Sequence, residues 1–289
     1  MIQIYTAIIT PFDAKKEINF DLFDDLIRWQ AREGIDGLVV CGTNGEFASL
    51  SLDEIKAILK FAIDRKKGKF KIIAGTGRVS IKETIALCKF VEGAADKALV
   101  VPPYYFKELS PQGIHNYFKQ LFENTRIPII LYNIPKYTGV PITPELINKL
   151  KTYENLEGVK DSTGTISNTE HFLNKCPNIK VYAGSDALLY ESFKRGAAGA
   201  ISSISNIFPK HLLEMKRRFL AGDKKGALSI QEEILKIRTV LKQFPNRSAV
   251  KVAISLLGYP MSYVRPPLID LTEQQQKELK NKLKIYLEK

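Results

Sequence analysis

The sequence predicts a (β/α)8 TIM barrel followed by a C-terminal helical extension. Eight short runs of apolar, often β-branched residues recur along the chain, and helical patterning lies between them. Runs with little polar alternation suit strands that are buried on both faces of a parallel sheet. Strands that alternate with helices eight times close most economically into a barrel. The predicted strands are residues 4–10, 37–41, 71–74, 97–101, 127–132, 156–160, 180–183 and 199–203.

Four helix starts are marked in the sequence. Ser51 and Ser80 each have a glutamate three residues further on, the capping-box pattern in which the hydroxyl and the carboxylate satisfy free backbone N–H groups. Ser110 and Thr143 each precede a proline, which is favoured at the first helical position because its missing N–H would have no partner there. The helices predicted between the strands therefore have defined starting points.

We expect the barrel to occupy residues 1–222 and the helical extension residues 223–289. After the eighth strand, helical patterning continues, and no low-complexity linker interrupts it. An open, doubly wound sheet is the alternative. Such a sheet normally carries a glycine-rich phosphate loop after its first strand, whereas residues 10–13 are Thr-Pro-Phe-Asp. The helices predicted after the eighth strand lie near residues 210–220, 224–243, 247–257 and 272–288.

Composition excludes several classes of protein. Of 289 residues, 45% are hydrophobic, and no segment approaches the roughly 18 apolar residues of a membrane span. The N-terminus lacks a basic region leading into an apolar stretch, so we expect no signal peptide, no membrane association and a cytoplasmic location. The formal charge of +12 comes from basic residues spread along helices, which favours a solvated surface over a nucleic-acid partner.

The cysteines and histidines predict neither a disulfide framework nor a metal site. Cys41, Cys88 and Cys176 are odd in number and widely spaced, so we expect buried free thiols. The three histidines fall far apart within predicted helices and lack the spacing of metal ligands.

Lys160 is the candidate nucleophile. Catalytic groups in this fold project from the C-terminal ends of strands, and Lys160 ends the sixth predicted strand, whereas most other lysines lie on helix faces or at strand starts. Partial burial there would lower the pKa of its amine and expose the neutral form that attacks a carbonyl carbon. A lysine paired with a carboxylate such as Asp161 explains the position equally well.

Other strand ends could complete such a site. Tyr132 ends the neighbouring fifth strand, where a phenol could transfer a proton to or from a substrate hydroxyl; a rim aromatic packed against a loop is the alternative. The turn Gly42-Thr43-Asn44-Gly45 offers backbone N–H groups and a hydroxyl that could hold a carboxylate, although glycine turns are common. Strands six, seven and eight contribute Ser162, Gly184 and Ser203 at their ends.

Six short motifs occur in the order and approximate spacing of one known family. Together they resemble the dihydrodipicolinate synthase / N-acetylneuraminate lyase family over essentially the whole chain. Each motif is weak by itself, but six in register are specific. The motifs are Gly42-Thr-Asn-Gly-Glu46, Pro103-Tyr-Tyr105, Tyr132-Asn-Ile-Pro135, Val159-Lys-Asp161, Gly184-Ser-Asp186 and Gly199-Ala-Ile-Ser202.

The resemblance implies a pyruvate-dependent class I aldolase that needs no cofactor. Lys160 would form an imine with pyruvate, and Tyr132 would transfer the proton. Thr43 and Asn44, in the turn that begins at Gly42, would hold the pyruvate carboxylate. The substrates implied are therefore a small 2-oxo acid and an aldehyde.

The resemblance also implies an assembly. Family members are typically tetramers built as dimers of dimers, so a homotetramer is expected. Tyr105 from a neighbouring subunit would complete a proton relay with Thr43 and Tyr132, and the backbone of Ile201 would line the imine pocket.

Departures from the family's patterns bear on the aldehyde. Dihydrodipicolinate synthases usually have an arginine at the place of Tyr137 to hold a second carboxylate, and Lys136, one residue earlier, lacks the arginine fork. N-acetylneuraminate lyases usually have an Asp-Glu pair at Asp186-Ala187. Archaeal 2-keto-3-deoxygluconate aldolases tolerate a residue other than arginine in that turn, and they also resemble this chain at Arg265-Pro-Pro267.

These departures predict reversible cleavage of 2-keto-3-deoxygluconate, or its 6-phosphate, to pyruvate and glyceraldehyde or its phosphate. Dihydrodipicolinate synthase, N-acetylneuraminate lyase and 4-hydroxy-2-oxoglutarate aldolase are alternatives. Some 4-hydroxy-2-oxoglutarate aldolases share Asn44, where most family members have threonine. Further alternatives are an imine-forming lyase or hydratase that eliminates water and a barrel that binds a 2-oxo acid without turnover. Retention of both Lys160 and Tyr132 argues against the last of these.

Overall fold

The predicted barrel is present in the computed structural model, which describes residues 2–106 and 108–287. Eight parallel strands follow one another around a closed sheet in chain order, and the first strand also pairs with the last. The predicted fold class is confirmed. The strands are β1 (Gln3–Ala7), β2 (Gly37–Val40), β3 (Lys71–Gly75), β4 (Lys97–Val100), β5 (Ile129–Asn133), β6 (Leu156–Asp161), β7 (Lys180–Ala183) and β8 (Gly199–Ser202).

Helices connect the strands and continue after the last one. They are α1 (Phe20–Glu33), α2 (Leu52–Asp64), α3 (Ile81–Val91), α4 (Pro111–Asn124), α5 (Pro135–Thr138), α6 (Pro144–Leu150), α7 (Ile166–Lys175), α8 (Leu189–Lys194), α9 (Pro209–Leu220), α10 (Lys224–Leu241), α11 (Asn246–Ser255) and α12 (Glu273–Leu287). Helix α10 packs on α8 and α9, and α12 packs on α10 and α11. The division of the chain at residue 223 stays a prediction, because the helices after it pack directly on the helices of the barrel.

Two strands differ from their predicted ranges by more than one residue at an end, for identifiable reasons. Strand β1 ends at Ala7 rather than at residue 10, because the N–H of Ile9 donates to the side chain of Asn206 (3.1 Å) instead of to a neighbouring strand. Strand β5 begins at Ile129 rather than at residue 127, since Pro128 has no N–H to donate to the sheet.

The four predicted helix starts are confirmed as N-caps, with one difference. The Ser51 capping box is complete, and Ser110 and Thr143 accept from the N–H groups of Gly113 and Leu146. Ser80 accepts from the N–H of Glu83, but the Glu83 carboxylate accepts from Arg78 (3.2 Å) rather than from the backbone of Ser80. The second capping box is therefore only half formed.

Apolar side chains fill the space between strands and helices and also the interior of the barrel. Tyr5 and Tyr182 are fully buried inside it, with ring centres 6.0 Å apart, and Lys97 pairs with Glu157 beside them at the N-terminal ends of the strands. This end of the barrel is therefore packed, which leaves the C-terminal end for a site. The remaining residues of the interior cluster are Ala7, Val39, Ile73, Leu99, Val101, Ile130, Tyr132, Ile134 and Ile201.

The described residues also bear on the other expectations. Cys41, Cys88 and Cys176 are buried free thiols, as predicted. Within residues 2–106 and 108–287, no group of three or more His, Cys, Asp or Glu side chains is placed to hold a metal ion. No helix in the same ranges is long and apolar enough to cross a membrane.

We expect Glu54→Gln to destabilise the protein at neutral pH but not in strong acid. A hydrogen bond from Arg265 is the main cause that holds the pKa of Glu54 below its ordinary value, with further bonds from Ser51 and in spite of partial burial. A carboxyl whose pKa is lowered on folding stabilises the fold above its unfolded pKa, and this stabilisation is lost as the pH falls through the folded pKa.

Urea denaturation should therefore give a free energy of unfolding lower by about 1 kcal/mol at neutral pH, with the difference shrinking towards zero in strong acid. The exposed Glu232, changed to Gln, is the matched control. An equal loss at both pH values would contradict the expectation.

Candidate active site

A cavity of about 510 Å³ opens at the C-terminal end of the barrel. All but two of the predicted site residues line it. The exceptions are Gly42, which lies beside it in a much smaller space shared with Thr43 and Tyr132, and Tyr105, which lies outside. The predicted residues in the lining are Thr43, Asn44, Tyr132, Lys160, Ser162, Gly184, Ile201 and Ser203.

Another cavity, of about 420 Å³, lies on the outside of the barrel among Trp29, Phe208 and Leu257. None of its described lining residues ends a strand, whereas this fold places catalytic groups at the strand ends. The cavity at the strand ends is therefore the candidate active site.

Lys160 is buried at the end of β6, in register with Tyr132 on β5 and Tyr182 on β7. Its Nζ lies 4.0 Å from the centre of the Tyr132 ring. The adjacent Asp161 carboxylate does not pair with it, because four other side chains already donate to that carboxylate. These donors are Asn133, Thr163, Asn168 and Thr169.

The surroundings of Lys160 favour the nucleophile over the structural ion pair. In the described part of the chain, no carboxylate lies within ion-pair distance of its Nζ. A buried amine without a counter-ion is available to a substrate carbonyl group.

The phenol of Tyr132 is hydrogen-bonded to Thr43 and lies beside the charge of Lys160. Its Oη accepts a hydrogen bond from Thr43 Oγ1 at 3.4 Å. Burial by itself raises the pKa of Tyr132, but the charge of Lys160, followed by hydrogen bonds with Thr43, Ser162 and Lys160, outweighs burial and lowers the pKa below its ordinary value. A lower pKa reduces the cost of moving a proton through the phenol.

The turn after β2 presents free backbone donors. Within the described residues, the N–H groups of Thr43 and Asn44 donate to no acceptor, although both residues line the cavity. The Asn44 side chain is used elsewhere, since its amide donates to Ala7 O (3.1 Å) and Ser203 Oγ (2.8 Å). Two adjacent free N–H groups can bind a carboxylate. Asn44 would therefore act through its backbone, and its side chain ties the turn to the end of β8.

The absence of a side chain at Gly184 leaves room beside Lys160. A Cβ atom there would lie 2.0 Å from Ser162 Oγ and 3.1 Å from Lys160 Cε. The Gly184 N–H donates to Asp161 O at 2.7 Å, and Ser162 Oγ donates to Gly184 O at 3.3 Å. Any other residue at this position would displace the nucleophile or the serine.

Sequence analysis missed a cluster of cations at the cavity mouth. Lys136, Arg238, Lys242 and Arg247 line it, and Asp186 is the only carboxylate among the described lining residues. Arg238 lies in α10, Lys242 follows directly after α10, and Arg247 lies in α11. All three belong to the segment that was predicted only as a helical extension. No local pattern marks these residues, because their proximity depends on how the last helices pack.

The charges at the mouth do not balance. The nearby charge of Arg238, more than partial burial or the charge of Lys136, lowers the pKa of Lys242. Asp186 is buried with a raised pKa, chiefly because of burial, and its Oδ2 accepts from the N–H groups of Ser203 and Ile204 (3.2 Å each). The positive charge at the mouth is therefore available to an anionic ligand.

Tyr105 has no contact with the cavity of its own chain. It is 87% exposed, has a left-handed backbone (φ 86°) and lies against the exposed Phe106. Its entry into a neighbouring subunit's site stays a prediction, because the structure is of one chain.

Fold and site together are those of the class I, pyruvate-dependent aldolases, which are lyases. Within that class, the chain belongs to the dihydrodipicolinate synthetase family, whose sequence model matches residues 1–286.

Relatives within the family are named for different activities. A 4-hydroxy-tetrahydrodipicolinate synthase of Hydrogenobaculum sp. is 36% identical over 283 residues, which are 97% of each chain. YagE of E. coli K12, solved in complex with pyruvate, is 30% identical with a TM-score of 0.94 over 98% of both chains. A variant of the Sulfolobus solfataricus 2-keto-3-deoxygluconate aldolase, solved with L-2-keto, 3-deoxy-galactonate, is 29% identical with a TM-score of 0.91, covering 98% of this chain and 95% of that one.

The expected closeness to the archaeal aldolases has only weak support. The first curated relatives, at 33 to 36% identity, are all synthases. Their names favour the synthase alternative over the predicted sugar-acid aldolase.

We expect Thr43→Val to raise the pKa of Tyr132. The substitution keeps the size of the side chain but removes a hydrogen bond that lowers this pKa. Titration of the ultraviolet phenolate band should show the phenolate forming at a higher pH, and Tyr132→Phe should remove that component. An unchanged curve in the Thr43→Val variant would mean that this hydrogen bond does not adjust the phenol.

Proposed function

We propose that this protein is a Schiff-base aldolase that reversibly cleaves 2-keto-3-deoxygluconate 6-phosphate to pyruvate and glyceraldehyde 3-phosphate. The observation that carries the proposal is the unbalanced cationic mouth above Lys160 and Tyr132. The same site would accept the unphosphorylated sugar acid less well, because it would leave the cations unpaired.

The chemistry needs only the residues of the site. The Lys160 amine attacks the C2 carbonyl, and loss of water gives an imine whose protonated form accepts the electron pair of the C3–C4 bond. Tyr132 takes the proton of the C4 hydroxyl as that bond breaks, and the aldehyde leaves. Protonation of the resulting enamine at C3 and hydrolysis of the imine release pyruvate and restore the amine.

Substrate orientation follows from the two ends of the cavity. The free N–H groups of Thr43 and Asn44 would hold the C1 carboxylate. The other end of the substrate would then extend to the mouth, where Arg238 and Lys242 lie. A phosphate there would accept from several cations at once.

Condensation of pyruvate with aspartate semialdehyde, as in 4-hydroxy-tetrahydrodipicolinate synthases, is the second candidate. The names of the curated relatives favour it. Aspartate semialdehyde carries an ammonium group as well as a carboxylate, and Asp186 is the only carboxylate among the described lining residues. Its Oδ2 accepts from two backbone N–H groups, whereas its buried Oδ1 has no hydrogen-bond partner among the described residues. Tyr137, at the position where such synthases usually have arginine, is 58% exposed and lies below the Arg247 guanidinium (5.6 Å to the ring centre).

Borohydride reduction in the presence of pyruvate tests the imine. We expect a mass adduct on Lys160 in the parent protein and in Tyr132→Phe, with turnover lost only in the latter because the phenol is needed for carbon–carbon cleavage. Lys236→Met, on an exposed part of α10 outside the cavity lining, is the control. Absence of the adduct in the parent would overturn the proposal.

Removal of a positive charge at the cavity mouth tests whether the sugar acid, and so the aldehyde it releases, carries a phosphate. Arg238→Met and Lys242→Met should each raise the KM for 2-keto-3-deoxygluconate 6-phosphate about tenfold, which is about 1.4 kcal/mol, and leave the KM for the unphosphorylated acid nearly unchanged. Lys236→Met is again the control.

Condensation of pyruvate with glyceraldehyde, its phosphate, glyoxylate, aspartate semialdehyde and N-acetylmannosamine should be measured in parallel. A preference for aspartate semialdehyde would replace the leading candidate by the second.

The assembly belongs to the proposal as well. We propose a cytoplasmic homotetramer, a dimer of dimers, in which Tyr105 of one subunit completes the relay in another. A solved dihydrodipicolinate synthase variant described as monomeric, 28% identical with a TM-score of 0.90, means that family membership by itself does not fix the number of subunits. Sedimentation analysis of the parent would decide.

A further inference from the structure

The turn that would hold the substrate carboxylate ends at a strained residue. Glu46 has a left-handed backbone (φ 56°), which is uncommon for a residue other than glycine. Its N–H donates to Thr43 O at 3.3 Å and so closes the turn. Strained backbone of this kind persists only where surrounding contacts hold it.

The contacts that hold Glu46 come from the C-terminal part of the chain. Its carboxylate is fully buried, with Oε1 at 2.5 Å from Lys251 Nζ on α11, and Oε2 accepts from the N–H of Arg265 at 3.0 Å. The Lys251 side chain is also fully buried. Its ammonium donates to Tyr263 O (2.5 Å) and lies 4.2 Å from the centre of the Phe12 ring.

One face of α11 holds both ends of the turn. Arg247 and Lys251 are four residues apart, so their side chains leave the helix on the same side. Arg247 Nε donates to Thr43 O at 2.9 Å, while Lys251 pairs with Glu46. The position of α11 therefore sets the position of Thr43, whose hydroxyl donates to Tyr132.

Stability alone does not account for this ion pair. Taking two charges out of water costs several kcal/mol for each ion, and uncharged residues of similar volume often serve a fold equally well or better. Burial lowers the pKa of Lys251 to about 8 in spite of the charge of Glu46. The charged pair also fixes a position, because it ties the strained backbone of Glu46 to helix α11.

We propose that Glu46 and Lys251 are positioning residues, which fix the turn of residues 42–45 so that its free N–H groups bind the carboxylate of a 2-oxo acid in the orientation that imine formation needs. The inference rests on the proposed function, since that assigns the turn to the substrate carboxylate. Neither residue is placed in contact with substrate, because neither lines the cavity.

The test compares two ketones in the full-length protein. Borohydride trapping of Lys160 is measured against the concentration of pyruvate and of acetone, which has no carboxylate. In Glu46→Gln/Lys251→Met, the half-saturating concentration of pyruvate should rise about tenfold, while trapping by acetone should match the parent. The thermal midpoint should equal or exceed that of the parent, because two buried charges are removed together.

A matched control uses the ion pair at the opposite end of the barrel. Lys97→Met/Glu157→Gln removes a pair of charges with side chains only 13% and 20% exposed, and it should leave both trapping curves unchanged. The second partner of Glu157, Lys180, is half exposed, so its ammonium stays in water in the variant. If the double variant at residues 46 and 251 does not fold, Glu46→Gln alone, which keeps the shape of the side chain, gives the same readout.

The outcomes separate this inference from the proposed function. No pyruvate adduct in the parent would overturn the imine itself. An adduct in the parent with an unchanged pyruvate curve in the variant would leave the imine standing and overturn the positioning role. Equal losses with pyruvate and acetone would also overturn it, because they would indicate general damage to Lys160.

Discussion

The parallel pairing of β5 with β6 is the constraint on which the candidate site depends. It places Tyr132 directly opposite Lys160, and closure of the barrel keeps the two strands from sliding past each other. A shift of β6 by one residue would turn Lys160 to the other face of the sheet, away from Tyr132. The packed tyrosines at the opposite end of the barrel reinforce this arrangement, because they fill the interior below the site.

Charge is distributed unevenly around Lys160 and Tyr132. The carboxylate of Asp161 accepts from uncharged side chains, and Oδ2 of Asp186 accepts from backbone N–H groups. The amine therefore has no protein counter-ion in the described chain, and its charge acts on the Tyr132 phenol. Above it, the cations of the mouth repel one another. The unpaired amine and the repelling cations are both unfavourable in electrostatic energy, and an anionic, carbonyl-bearing substrate would reduce that energy.

The C-terminal helices belong to the site as much as the barrel does. Helix α10 brings Arg238 to the mouth, and α11 brings Arg247 to the carbonyl of Thr43 and Lys251 to the carboxylate of Glu46. These contacts join residues about 200 positions apart in the chain. These helices follow the barrel in sequence, but in space α11 holds the turn that faces Lys160.

Much of this arrangement is determined by local sequence. Apolar runs and helix caps predict the barrel, because strand burial and capping depend on residues close together in the chain. In a closed parallel barrel the C-terminal ends of all strands lie at one face. Lys160, Tyr132 and the Thr43-Asn44 turn could therefore be named from the sequence. Tertiary structure alone decided that the Asn44 side-chain amide donates to Ala7 and Ser203, that Asp161 leaves Lys160 unpaired, and that Glu46 is buried against Lys251. These depend on contacts between distant segments, and neither periodicity nor motif spacing encodes which side chains of separate helices meet.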